Sequence, residues 1–148
     1  MAQTTGAMSG AAATISYQSG GTGTYTDISG SSQSVDVVTL TRMTGEAYTF
    51  DSSYAVLTFG KNEPSEVVVN VLYTESTTEG YQVMLTAFEN GTLISLKWTP
   101  AGTGAGADTY TTSAGQITAV DLPAIDASSA GPIMCSFTLR CASITHTT

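Results

Sequence analysis

Between Glu66 and Tyr73 the chain reads Glu-Val-Val-Val-Asn-Val-Leu-Tyr. Val67, Val69, Val71 and Tyr73 share one parity, and Val68 and Leu72 share the other. A strand of this kind is apolar on both faces, which predicts a central place in a sheet covered on both sides. The period then changes. Tyr81, Met84, Leu85 and Phe88 fall at i, i+3, i+4 and i+7, the spacing of one helical face. Ser76 followed by Glu79 reads as a capping box. Asn90-Gly91 reads as a stop that tolerates positive φ. The predicted helix, about residues 77–90, would be marginal alone. Tyr81, Met84, Leu85 and Phe88 are therefore predicted to dock it on a sheet.

Alternation marks the other strands. Residues 13–17 and 24–28 flank Gly20-Gly21-Thr22-Gly23 and read as a hairpin. Residues 34–41, with Val35, Val37, Val38 and Leu40, read as one strand. After the helix, residues 92–98, 109–112, 116–122 and 133–141 follow, with one helical turn allowed near 124–127. The last strand puts Cys135, Phe137, Leu139 and Cys141 on one side. The tally is roughly eight to ten strands and one helix. It predicts a mainly β fold, a sandwich or partly closed barrel with the helix on its flank.

Residues 42–61 fit this frame least well. Residues 47–50 and 55–59 each have strand character, broken by Gly45, Asp51-Ser52-Ser53 and Gly60-Lys61-Asn62. So long a segment between two strong strands is usually an interaction arm. Tyr48, Phe50, Tyr54 and Phe59 have no evident core of their own. The arm is predicted to be mobile in the free subunit and ordered by a neighbour, whose contacts must offset its ordering entropy. Residues 1–13 lack periodicity and are predicted to be a flexible arm. The tail from 142 to 148 reads as short and polar.

The length of 148 residues suits one domain, 1–148. Charged residues make up only 11%, well below the usual quarter. Thr, Ser, Gly and Ala supply the polarity instead. A mostly β protein covered by neighbours and a loop-rich secreted domain both fit that composition. Four basic against twelve acidic residues give a net charge of −8. Arg42, Lys61, Lys97 and Arg140 are scattered, which argues against binding a phosphate backbone. Met1-Ala2-Gln3 carries no positive start and no apolar run follows, so no secretory signal is expected, and no stretch approaches the length of a membrane span.

Candidate chemistry is sparse, and no enzyme, metal or cofactor is expected. His146, the lone histidine, sits near the end, where a frayed terminus would not hold a catalytic base rigidly. Glu63 and Glu66 read as a solvated edge rather than a glycosidase pair. Asp51-Ser52-Ser53 and Asp126-Ala127-Ser128 supply too few acids for calcium. Gly102-Thr103-Gly104-Ala105-Gly106 has no following Lys and reads as a loop. Cys135 and Cys141 share a face about 20 Å apart on a straight strand, too far for a disulfide, and read as small buried residues.

The ordered set Tyr25-Thr26-Asp27-Ile28-Ser29-Gly30, Gly45-Glu46-Ala47, Gly60-Lys61-Asn62-Glu63-Pro64, Leu72-Tyr73-Thr74-Glu75, Phe88-Glu89 and Leu96-Lys97-Trp98-Thr99-Pro100-Ala101-Gly102, ending in Gln116-Ile117-Thr118, Pro123 and residues 133–138, resembles the tail tube (major tail) proteins of long-tailed bacteriophages. The resemblance runs over most of the chain. Contractile-tail and secretion-needle tubes share the architecture. It implies a β-barrel or sandwich with one flanking helix, in a virion subunit made in the host cytoplasm. Such subunits form hexameric rings that stack into the tail tube, the conduit for DNA ejection. Their partners would be further copies, tip and terminator proteins and the tape measure, with DNA passing unbound. The long loop would reach the next ring, placing Arg42, Glu46, Tyr48, Phe50, Tyr54, Phe59 and Lys61 at subunit contacts. The chief alternative is an immunoglobulin-like decoration or receptor-binding module; a small β-sandwich hydrolase is a remoter one.

Overall fold

The computed structural model describes Thr4 and residues 6–148. In chain order the strands are β1 (Thr14–Ser19), β2 (Thr26–Asp27), β3 (Ser32–Val35), β4 (Arg42–Ala47), β5 (Val56–Asn62) and β6 (Ser65–Leu72). One helix follows, α1 (Gly80–Asn90), and then β7 (Ile94–Thr99), β8 (Thr109–Thr112), β9 (Gln116–Val120), β10 (Met134–Cys141) and β11 (Ile144–Thr147). Part of the expected N-terminal arm, residues 1–3 and 5, lies outside the described residues; Gly10–Ala12 forms a single 3-10 turn.

Three antiparallel sheets result. The first has order β11-β8-β7-β1-β2, the second β3-β6-β10-β9, and β4-β5 stand apart as a two-stranded ribbon. The first two sheets form a sandwich. Val67, Val69 and Val71 of β6 are completely buried. They pair across the ladder with Leu139, Phe137 and Cys135 of β10. Ile15, Ile94 and Leu96 from the first sheet meet them in one core. Such interdigitated burial stabilises by about 1.5–3 kcal/mol for each large apolar side chain.

β6 is central, but only one of its faces is sealed. Glu66 is exposed, and Val68, Asn70 and Leu72 are half-buried. The expected second cover is missing because α1 packs on the core side, where the Tyr81 ring meets Tyr73 edge-on at 5.1 Å. The helix also starts later than predicted. Glu79 is the N-cap and makes no side-chain cap bond. Ser76 Oγ is turned to Thr78 Oγ1 at 3.1 Å, so the capping box does not form. Gly80, Tyr81, Met84 and Ala87 are buried, Leu85 is partly buried against the core, and Phe88 lies at the rim, 47% exposed. The other end follows the sequence: Gly91 adopts φ +65° and its N–H turns back to Ala87 and Phe88 carbonyls.

Several element boundaries differ from the sequence pattern. The predicted strand 34–41 ends at Val35; the Asp36 N–H makes a last bond to the Val68 carbonyl at 2.9 Å, and the chain then leaves the sheet. Val37 and Leu40 are consequently exposed. β9 stops at Val120, leaving Leu122 exposed. No helical turn forms at 124–127, where Asp126 Oδ1 instead accepts from the Ser128 N–H and Oγ at 2.9 and 2.7 Å. The tail is not frayed, since Ile144–Thr147 pairs with β8 as the edge strand of the first sheet.

Both cysteines are free and buried. Burial pushes both thiols above their ordinary pKa, which keeps them protonated and poorly nucleophilic.

Candidate assembly interface

The 42–61 segment is a β-hairpin, its register shifted between Arg42 and Thr44, in which every strand residue is exposed. Its register pairs Thr44 with Phe59, Glu46 with Leu57 and Ala47 with Val56. Period-2 alternation therefore puts Thr44, Glu46, Leu57 and Phe59 on one face. The other face carries Gly45, Ala47, Val56 and Thr58. Tyr48, Phe50 and Tyr54 crowd the tip at 77%, 114% and 82% exposure. Of the expected strand at 47–50, only Ala47 is strand, as the last residue of β4, and residues 48–50 belong to the turn region. A ribbon this apolar makes an exposed surface of the sort that marks an interaction site. Its base is polar and fixed. Arg42 Nε donates to Asn62 Oδ1 at 2.9 Å, and Thr41 Oγ1 donates to Glu63 Oε2 at 2.7 Å. Lys61 lies beside this base on β5.

A groove of ≈ 830 Å³ opens near the hairpin base. Its floor belongs to the first sheet. Registers align Ile15, Trp98, Tyr110 and His146 in one row across β1, β7, β8 and β11. Trp98 stacks on Tyr110 at 5.6 Å, and Tyr110 on His146 at 5.1 Å. Asp108 Oδ1 lies 2.9 Å from His146 Nε2 and anchors the end of the row. His146 is therefore held on a paired strand, a correction to the frayed terminus read from its position. What it contacts is an aromatic ring and a carboxylate rather than a nucleophile. The facing wall is the chain that has left the sheet, with Val35, Val37, Val38 and Leu40.

The open face of the second sheet is polar and internally bonded. Arg140 Nη1 meets Glu66 Oε1 at 2.8 Å. Asn70 Nδ2 donates to Ser34 Oγ at 2.9 Å and Asp36 Oδ1 at 2.8 Å. Ser136 Oγ donates to Asp121 Oδ2 at 2.5 Å. On the first sheet, Lys97 Nζ sits 4.4 Å above the Tyr25 ring. The cations are thus dispersed among separate partners. Glu63 and Glu66, weighed above as a pair, are engaged by Thr41 and Arg140 respectively. Among the described residues, no cluster of His, Cys, Asp and Glu has the makings of a metal site. No described helix is long and apolar enough to cross a membrane.

No family model matches the sequence, and no curated protein matches it significantly. Solved structures do. A chain of the anti-feeding prophage cap, the tube terminating cap, superposes with a TM-score of 0.75 at 12% identity, covering 100% of this chain and 95% of that one. The fold is that of phage-type tail tubes and their caps. A chain from the tail of the empty GTA particle, refined helically with C6 symmetry, gives 0.71 at 14% identity, over 96% of this chain and 100% of that one. The SPP1 tail tube gives 0.63 at 16% identity, over 95% and 78%. The tube fold spans essentially the whole chain, β4–β5 ribbon included.

The sequence pointed to the hairpin aromatics but not to the groove. Its floor and wall come from residues 15, 35–38, 40, 98, 110 and 144, each of which reads locally as an ordinary strand position. Only the early exit of the chain at Val35 leaves the groove between them open.

Proposed function

We propose that this chain is a structural subunit of a phage-type tail tube, located in the virion tail, that assembles as hexameric rings stacked into a conduit for DNA. The observation that carries the reading is the β4–β5 ribbon, exposed at every strand position on a chain whose whole length takes the tube fold. A ribbon with apolar side chains on both faces gains by burial only in an assembly. Arg42, Glu46, Tyr48, Phe50, Tyr54, Phe59 and Lys61 are its proposed subunit contacts. Rings and tubes need a contact that closes around one axis and another that repeats along it. The tail tip, terminator and tape measure are the further partners.

The proposed role toward DNA is passage without binding. A net charge of −8 per copy repels phosphate. Two of the four cations are engaged, Arg140 by Glu66 and Lys97 by the Tyr25 ring. No catalytic role is proposed.

Likeness to the tube terminating cap favours a second reading, a subunit that ends a tube. Negative-stain imaging of the purified chain at high concentration separates the two. Tubes of six-fold cross-section support the tube subunit, and isolated rings support the cap. Discrete monomers, with or without tip proteins, would overturn both and favour an immunoglobulin-like decoration module.

A further inference from the structure

The inner face of the five-stranded sheet extends past the sheet that covers it. β3 is short and the chain leaves at Val35, so Trp98, Tyr110 and Ile144, half-buried at the margin of the core, floor an open groove. We propose that this groove receives the β4–β5 tip of a second copy, with Tyr48, Phe50 and Tyr54 seated on Trp98, Tyr110 and Ile144. The proposal rests on the tube-subunit reading and gives its stacking contact both halves.

Several observations select that occupant. The chain's own tip is out of reach of the groove. Paired strands run from Arg42–Asn62 to Ala47–Val56, and six residues of strand carry the tip about 20 Å from its base. Residues 1–9 are mostly Ala, Gly, Thr, Ser and Gln, with two Met, and bring little apolar area. The hairpin brings three aromatic rings.

The sizes also agree. A groove of ≈ 830 Å³ falls among pockets of about 300–1,000 Å³ that enclose a compact apolar ligand. Each aromatic side chain buries about 150–250 Å². Three of them contribute roughly 450–750 Å², close to the ~800 Å² per partner of a standard stable interface. The floor is itself stacked aromatic, which suits edge-to-face or offset addition of further rings. Tip and groove are different surfaces of one chain, so the contact is heterologous and propagates instead of closing on a pair.

Two variants test this. One replaces the tip rings, Tyr48→Ser, Phe50→Ser and Tyr54→Ser. The other charges the groove wall at two exposed positions, Val37→Asp and Leu40→Asp. Both should melt with the wild type, because every altered side chain is exposed, and neither should form tubes alone. Mixed, they should yield stacks that stop at two rings, since only one partner has a tip and only the other a groove. A Phe50→Cys, Val37→Cys chain should cross-link between copies, and the buried native thiols should stay silent. If the groove variant forms tubes like the wild type while the tip variant does not, the groove is refuted and the tube reading stands. If wild-type chain forms no tubes and the double-cysteine chain no cross-links, both fail.

Discussion

Ser31 caps a helix that begins 49 residues later: its Oγ accepts the Gly80 N–H at 3.3 Å. Gly80 is suited to the position. A Cβ there would crowd Ser31 Oγ at 3.2 Å and Ile28 Cδ1 at 3.6 Å. The bond ties α1 to the loop ahead of β3, so the helix start is set by tertiary contact. Ser31→Ala should lower stability by about 0.5–2 kcal/mol, as loss of an N-cap does. Ser76→Ala, whose hydroxyl reaches only Thr78, should change little. Thermal melts of the two variants check the order, and equal shifts would return the cap to Ser76.

Gly115 should be the glycine least tolerant of a side chain. A Cβ there would lie 2.9 Å from the Arg140 carbonyl carbon and 3.0 Å from Cys141 Cα, both backbone atoms. Its N–H and carbonyl also exchange bonds with Ile94 at 2.9 and 2.8 Å, bridging the sheets at that end. Gly115→Ala must push strands apart and should cost about 1–3 kcal/mol or more. Circular dichroism melts would show this, with Gly104→Ala, which meets nothing within 4 Å, as the neutral control.

Phe88→Ala should be mild and Phe137→Ala severe. Phe88 is 47% exposed, whereas Phe137 of β10 is 1% exposed in the core. Truncating a fully buried Phe costs about 3–5 kcal/mol. Chemical denaturation midpoints that shift alike for both would mean that Phe88 docks after all.

These contrasts show what the sequence carries and what it leaves out. β6, β10 and the Gly91 stop were legible because period-2 burial and left-handed glycine are local properties. The helix start was not, because its cap comes from Ser31 rather than the Ser76–Glu79 pair. Nor was the docked face, which runs through Tyr81, Met84 and Ala87 and leaves Phe88 at the rim. The length of the 34–41 strand was misread for a related reason. Val37 and Leu40 continue an apolar pattern, but their cover is not in the chain's own second sheet. The hairpin aromatics stood out as residues without a core, while the groove depends on which strand fails to cover which, and that is a matter of topology.

Acid should selectively erase the contribution of Asp27. The Ser29 hydroxyl donates to its Oδ1 at 2.5 Å and the Ser29 N–H at 2.8 Å. These bonds hold its pKa below the ordinary 3.8. A depressed pKa stabilises the fold above the unfolded value, and that stabilisation fades as pH falls through the folded one. Asp27→Ala should therefore lower the melting temperature most at neutral pH, with the gap to wild type closing in acid. A gap that persists unchanged to about pH 2, well below ordinary carboxylate values, would exclude the ionised carboxylate as its cause.

Amides of residues 44–53 should exchange quickly in the isolated subunit and slowly in tubes. The ribbon has no cover in a single copy, and opening free energy follows local burial. Hydrogen exchange on both forms reads it directly. Protection in the monomer equal to that of β6 would make the ribbon part of the core.

A bare ribbon and a bare groove on one chain also pose a problem of timing. Each copy repels the next through a net charge of −8, and at physiological salt that repulsion fades over about 8 Å. Apolar attraction acts only at contact. Free subunits therefore meet a barrier before they meet an attraction, and a dissolved pool can stand supersaturated. In the proposed assembly, a preformed ring end would lower that barrier by presenting several sockets already in register. Growth would then follow the number of ends rather than the concentration of subunits, so that the number of tubes is fixed by whatever starts them.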